Sequence, residues 1–172
     1  LRRAGVDGRV LLPGSAAVYA PSSDPIAEDS ALAPASPYAL SKLAQEELAR
    51  RAVAEDGLDV VLTRSFNHTG PRQTPAYAVP SMARQIALIE AGAMEPAIRV
   101  GNLDARRDIS DVRDVVRAYA GLMASGQPGT IYNVASGRGI SLRQLLDRIA
   151  HAVGWEVEPV IDPTLFRPAD LE

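Results

Sequence analysis

Short apolar runs alternate with capped, amphipathic helical segments along this chain, and that alternation limits its fold more than any other feature. Arg9-Val10-Leu11-Leu12-Pro13 is predicted as a buried strand that empties into the small-residue loop Gly14-Ser15-Ala16-Ala17. Pro21 to Pro37, rich in Pro, Ser, Ala and Asp, reads as a surface loop. Ser36-Pro37 supplies an N-cap followed by proline at the first helical position. Leu40, Leu43, Ala44, Leu48, Ala49, Ala52 and Val53 recur at helical spacing, and Gly57 ends the helix. Leu58 to Thr63 is the next expected strand, with Arg64 to Gln73 as its exit loop. A second helix is expected from Pro80 to Ala91 with Gly92 as its stop, and Ile98-Arg99-Val100 as a short strand. A third helix, from about Val112 to Ala124, is capped by Ser110 or Asp111. Thr130 to Val134 reads as a strand. Ser141-Leu142-Arg143-Gln144 is a capping box opening a helix to Val153, closed by Gly154, and Val157 to Ile161 reads as a last strand. Strands alternating with helices indicate an α/β protein with a largely parallel sheet.

Composition removes several function classes. The chain has 172 residues, 47% hydrophobic and 23% charged, enough for a real core. Its net charge is −3 and its arginines are scattered, so no nucleic-acid footprint is expected. It has no cysteine, which excludes disulfide scaffolds and thiolate metal sites, and no metal site is expected. No apolar run approaches the ~18 residues of a membrane span and no signal-peptide pattern opens the chain, so no membrane partner and a cytoplasmic setting are expected. Leu1-Arg2-Arg3 at the start and Ala169-Asp170-Leu171-Glu172 at the end read as cuts through a longer pattern, which sets the expectation of a fragment.

Of the eighteen basic residues, seventeen are arginines, and the single lysine, Lys42, stands four residues after a tyrosine: Tyr38-Ala39-Leu40-Ser41-Lys42. Where a charge alone suffices this chain uses arginine, so Lys42 marks a place where a compact ammonium is needed and a rigid fork will not serve. The i, i+4 spacing sets both side chains on one helical face. An ammonium beside a phenol favours the phenolate, which makes a proton donor and acceptor. Ser15, at the end of a strand in a loop of small residues, could donate to the same carbonyl oxygen that Tyr38 protonates; taken alone it also reads as a turn serine.

Ser15-Ala16-Ala17-Val18-Tyr19, Pro37-Tyr38-Ala39-Leu40-Ser41-Lys42 and Arg64-Ser65-Phe66-Asn67-His68-Thr69-Gly70-Pro71 together resemble the extended short-chain dehydrogenase/reductase family. More narrowly they resemble its nucleotide-sugar epimerases, dehydratases and reductases. The likeness runs on through Gly101-Asn102-Leu103-Asp104-Ala105-Arg106-Arg107-Asp108 to Arg167-Pro168-Ala169-Asp170, covering nearly the whole chain. It implies the C-terminal part of a Rossmann-type doubly wound parallel sheet plus a smaller α/β substrate-binding domain. Residues 1–76 would carry the end of the cofactor domain and 77–172 mainly the substrate domain, with about 107–135 returning to the sheet.

The resemblance also implies roles. Ser15, Tyr38 and Lys42 match the catalytic triad, with Tyr38 and Lys42 also touching an NAD(P)H cofactor. Asn67 matches a residue on the substrate diphosphate or sugar, and His68 one lying against the nicotinamide; His68 equally reads as a capping or hydrogen-bonding histidine. Arg107 and Arg167 match arginines that grip the diphosphate of a nucleoside-diphosphate sugar, where bidentate donors suit phosphate oxygens. Arg106 reads rather as a solvated surface residue, and His151 as structural. The family's dimers imply a homodimer.

Two absences refine this. No G-x-x-G-x-x-G follows a strand, and Gly137-Arg138-Gly139 reads as a turn, so the cofactor's pyrophosphate site is expected upstream. Dehydratases of the family carry a glutamate base where this chain has Ala17, whose methyl cannot take a proton. The expected activity is therefore NAD(P)H-dependent reduction of a 4-keto-6-deoxy sugar, GDP-4-keto-6-deoxy-mannose to GDP-rhamnose being favoured. A 4-epimerase, a GDP-mannose 4,6-dehydratase and a non-enzymatic dinucleotide sensor are the alternatives. NADH is not distinguished from NADPH, because the residues that read the ribose lie upstream.

Overall fold

A computed structural model describes residues 8–155 and 158–166. In chain order it contains β1 (Val10–Ser15), α1 (Pro37–Asp56), β2 (Val60–Ser65), β3 (Asn67–Thr69), α2 (Ala78–Glu90), β4 (Ala97–Val100), β5 (Arg106–Asp111), α3 (Val112–Ser125), β6 (Ile131–Val134), β7 (Gly139–Ser141), α4 (Leu142–Ala152) and β8 (Glu158–Ile161). These elements form two units. One comprises the described residues up to His68 with Ser110–Gly137; the other comprises Thr69–Ile109 with the described residues from Arg138 on.

The first unit is built on a parallel sheet in the order β1-β2-β6. Its central strand β2 is buried throughout, as a strand covered on both faces must be. Consecutive strand residues point to opposite faces. Arg64 of β2 reaches Glu46 on α1, and the next residue, Ser65, shares a hydrogen bond of 2.6 Å with the Tyr119 hydroxyl on α3. Helices α1 and α3 therefore cover opposite faces of this sheet, the doubly wound arrangement. Val18, Ala39, Val60, Val61, Leu62, Val115 and Val134 form its apolar core.

Local chemistry sets the helix ends. Ser36 accepts from the Ala39 N–H, Pro37 occupies the first position of α1, and Gly57 closes it in the left-handed region at φ 63°. Asp111 takes the cap of α3, accepting from the Arg113 N–H. The Ser141/Gln144 capping box opens α4 with both reciprocal bonds present.

In the second unit β4 and β8 pair in parallel, and α2 and α4 pack over a core of Met82, Ile86, Ile89, Ile98, Val100, Leu103 and Leu146. Gln85 on α2 fastens β4 directly, accepting from the Arg99 N–H at 2.8 Å and donating to the Arg99 carbonyl at 3.0 Å.

Two sequence expectations are corrected, and one strand was not anticipated. Arg64 and Ser65 belong to β2 and not to its exit loop, because they continue the ladder against Gly14 and Ser15. Asn67–Thr69 within that expected loop is a short strand. The charged stretch Arg106–Asp111 is strand β5, which pairs antiparallel with β7 through Arg106↔Ser141, Arg107↔Ile140 and Asp108↔Gly139. Polar links hold that pairing: Arg106 donates to the Gly139 carbonyl at 2.7 Å, and Asp108 accepts from the Arg138 N–H at 3.0 Å.

Candidate active site

The C-terminal end of β1 and the first turns of α1 meet in the first unit, where open α/β sheets bind ligands. Ser15 is the last residue of β1 and caps the 3-10 turn Ala16–Val18, its Oγ accepting from the Ala17 N–H at 3.2 Å. Turn formation and availability coexist here, because the hydroxyl accepts from the backbone and keeps its own hydrogen to donate. Gly14 lets β1 approach β2 just before this point: a Cβ there would lie 2.2 Å from the Thr63 carbonyl oxygen.

Tyr38 is the second residue of α1 and 57% exposed, so its ring is open to a ligand. One turn on, half-buried Lys42 donates through Nζ to the Pro13 carbonyl at 3.0 Å and to Gln45 Oε1 at 3.3 Å. An ammonium has three donors, and these two bonds leave one more for a ligand. Pro13 stands two residues before Ser15, so the Lys42 bond brings the helix carrying Tyr38 and Lys42 to the strand end carrying Ser15.

Asn67 and His68 are exposed on β3, and His68 Nδ1 donates to the Phe66 carbonyl at 3.0 Å. A carbonyl only accepts, so that bond places a proton on Nδ1. Half-buried Arg107 lies on β5 in the second unit, with Nη1 donating to the Arg106 carbonyl at 2.7 Å. Arg106 is tied to β7 as given above. His151 is exposed near the end of α4. Arg167 lies outside the described residues.

Sequence reasoning missed a charge cluster behind the site. Arg64, 3% exposed, donates to both carboxylate oxygens of Glu46, itself 6% exposed, at 2.9 and 2.6 Å. It also donates to the Glu28 carbonyl at 2.9 Å and stacks over the Tyr19 ring, 4.7 Å from its centroid. The Tyr19 hydroxyl donates to Asn133 Oδ1 at 2.7 Å, Asn133 donates through its side chain to the Ile26 carbonyl, and the Asn133 N–H donates to the Glu28 carboxylate at 2.7 Å. The hydrogen bonds that Arg64 donates to Glu46 push its already high pKa further up, against the opposing cost of burial. The sequence signal was Arg64 directly after the apolar run Val60-Val61-Leu62-Thr63; the local pattern of α1 did not mark Glu46 as buried.

Among the described residues no group of three or more His, Cys, Asp or Glu side chains could hold a metal ion, and no helix is long and apolar enough to cross a membrane.

Residues 1–135 match the NAD dependent epimerase/dehydratase family, and the chain belongs to that family. It is 38% identical to the GDP-6-deoxy-D-mannose reductase of Pseudomonas aeruginosa over 99% of this chain and 57% of that protein. It is 32% identical to the UDP-glucose 4-epimerase of Azospirillum brasilense over 98% of this chain and 52% of the relative. Among solved structures, that of RMD from Pseudomonas aeruginosa complexed with NADPH superposes with a TM-score of 0.89 at 38% identity, covering 94% of this chain and 55% of the other. The chain spans about half the length of the curated relatives it matches. The family resemblance read from the Ser15, Tyr38–Lys42 and Asn67 motifs holds, and the fold is the Rossmann-type α/β fold of these enzymes.

Proposed function

We propose that this chain is the triad-bearing and substrate-binding part of an NAD(P)H-dependent reductase. It acts on the 4-keto group of a nucleoside-diphosphate 4-keto-6-deoxy sugar, with GDP-4-keto-6-deoxy-mannose favoured and GDP-rhamnose as product. One observation supports this reading: Lys42 donates to the Pro13 carbonyl, two residues before Ser15, and Ala17 stands where a dehydratase needs a base. The Pseudomonas aeruginosa relative, a GDP-6-deoxy-D-mannose reductase, supports the substrate class.

The donor set fits a dinucleotide: the third N–H of Lys42 suits a ribose hydroxyl, and the exposed Tyr38 ring lies one turn away. When bound, NADPH supplies hydride to C4 of the sugar. Tyr38 transfers its phenolic proton to the oxygen that becomes the C4 hydroxyl, and Ser15 donates to that oxygen as negative charge develops. Lys42 would hold the ribose through its remaining N–H. His68 packs against the nicotinamide. By family resemblance Asn67 is assigned to the substrate's diphosphate or sugar, and Arg107 and Arg167 are each assigned to a diphosphate. In this reading residues 1–76 complete a cofactor domain whose glycine-rich turn lies upstream, 77–172 mainly form the substrate domain, and about 107–135 return to the sheet. The exposed outer face of α1, with Leu40 58% and Leu48 68% accessible, suits a twin subunit. The setting is cytoplasmic.

A 4-epimerase is the second reading, favoured by the likeness to the Azospirillum brasilense enzyme and served by the same three side chains. Dehydration is disfavoured by Ala17. The protein carrying this chain joined to its cofactor half should consume NADPH with a 4-keto sugar. Tight NADPH binding without turnover on any keto sugar would instead mark a dinucleotide sensor. GDP-mannose with NAD(P)+ should give no 4-keto product by mass; its clear formation would mean another residue supplies the base.

A further inference from the structure

Arg64 pairs with Gly14 in the sheet, beside Ser15, and its side chain touches α1 and the chain between Ser15 and Tyr38. Through its side chain it contacts Tyr19, four residues after Ser15; Glu28, in the loop leading to Tyr38; and Glu46, one turn beyond Lys42 on α1. We propose that Arg64 is the positioning residue of the Ser15/Tyr38/Lys42 set, its fork fixing the angle of α1 against the strand end that bears Ser15. The inference rests on the reductase reading above for what the geometry serves, and on the hydrogen bonds alone for the geometry.

Three features favour a positioning role over a merely stabilising one. The Arg64–Glu46 contact is bidentate and nearly fully buried, so it sets orientation as well as distance. A buried ion pair is poor evidence of stability, because a well-packed apolar pair usually does as well; its attested use is to specify one arrangement. Leverage then matters. Glu46 and Tyr38 are eight residues apart on one helix, about 12 Å along its axis, so a tilt of about 5° at Glu46 displaces Tyr38 by about 1 Å. A misplacement of that size costs on the order of 10²-fold in rate. Lys42 lies between them, and its bond to Pro13 would be strained by the same tilt.

The test uses the protein carrying both halves, with the double variant Glu46→Leu/Arg64→Met and the single variant Arg64→Lys. The apolar pair should keep a melting temperature close to that of the parent. Amide hydrogen exchange through residues 37–46 should nevertheless rise by about tenfold while β2 stays protected. Reduction of the keto sugar should lose about 10- to 100-fold in kcat, with KM for the sugar within about threefold. Lysine keeps the charge facing Glu46 but donates from a single nitrogen and cannot reproduce the parallel two-bond fork to the carboxylate. Arg64→Lys should therefore show both effects in weaker form, and it decides the matter should the double variant fail to fold. Parental exchange in α1, or parental kcat in a variant whose exchange has risen, would overturn the proposal. If the parent reduces no 4-keto sugar, the reductase reading fails, and the exchange comparison alone then decides whether Arg64 holds α1.

Discussion

Lys42 Nζ lies 3.0 Å from the Pro13 carbonyl oxygen, so the one ammonium in the chain's side chains is pinned to the strand two residues before Ser15. The bond joins two observations made separately in the sequence, the unusual lysine and the serine at a strand end. An ammonium can donate to Pro13 and Gln45 and still point a third N–H outward, because its donors diverge from one atom. A guanidinium is planar and longer, and cannot do this from the same backbone position.

Lys42→Arg should therefore be severe although it keeps the charge. The expected loss in kcat/KM is about 100-fold or more, of the size acid–base partners supply. Steady-state kinetics across pH give the check. A near-parental pH–rate profile would show that charge alone is what Lys42 provides.

Tyr38→Phe removes only the phenolic oxygen from an exposed ring. Turnover should fall by about 10²- to 10⁴-fold, while NADPH affinity by calorimetry stays near parental. A loss below about tenfold would remove Tyr38 from the role of acid.

Gly14→Ala should damage both fold and activity. The added methyl would sit 2.2 Å from the Thr63 carbonyl oxygen, which is backbone in the neighbouring strand and cannot swing aside. Overpacking of this kind costs about 1–3 kcal/mol, and the upper end is expected here. The denaturation midpoint should fall by the corresponding amount with an unchanged slope. Because Ser15 is the next residue, kcat should fall as well, and a parental midpoint would contradict the close approach of the strands.

Asp111 carries a pH-dependent contribution whose sign follows from its partners. The Arg113 side chain first, and the Arg113 N–H second, hold its carboxyl well below the usual carboxylate range. With the folded value depressed, the stabilisation is complete above the unfolded value of about 4 and is lost as pH falls below it toward the folded value. Asp111→Asn can still cap α3 but carries no charge. Its melting temperature should lie below the parent's at pH 7, and the two curves should converge as pH falls below about 4. Curves that stay parallel over that range would contradict the assignment.

What was legible in the sequence follows from how local the cause is. The ends of α1 and α4 could be read because Ser36, Pro37, Gly57 and the Ser141/Gln144 box act within one turn of themselves. Tyr38 and Lys42 could be placed on the opening turns of α1 from the Ser36-Pro37 start, and Ser15 could be placed beside a strand from the apolar run that precedes it. Strand β5 could not, since its six residues are mostly charged and its partner β7 lies some thirty residues on. The faces of α1 were also misjudged. Leu40 and Leu48 look outward although they fit a helical apolar pattern, whereas Glu46 is buried because its counter-charge arrives from Arg64 in another element. Non-local pairing overrides local pattern in both cases.

The most direct test follows the hydride. The protein carrying this chain and its cofactor half is incubated with GDP-4-keto-6-deoxy-mannose and NADPH deuterated at the transferable C4 position. Reduction assisted by Tyr38 predicts one deuterium bound to C4 of the product sugar, one NADPH consumed for each sugar reduced, and loss of both in Tyr38→Phe. Recovery of unlabelled sugar of unchanged mass with no NADPH consumed, although NADPH binds, would contradict the reductase reading.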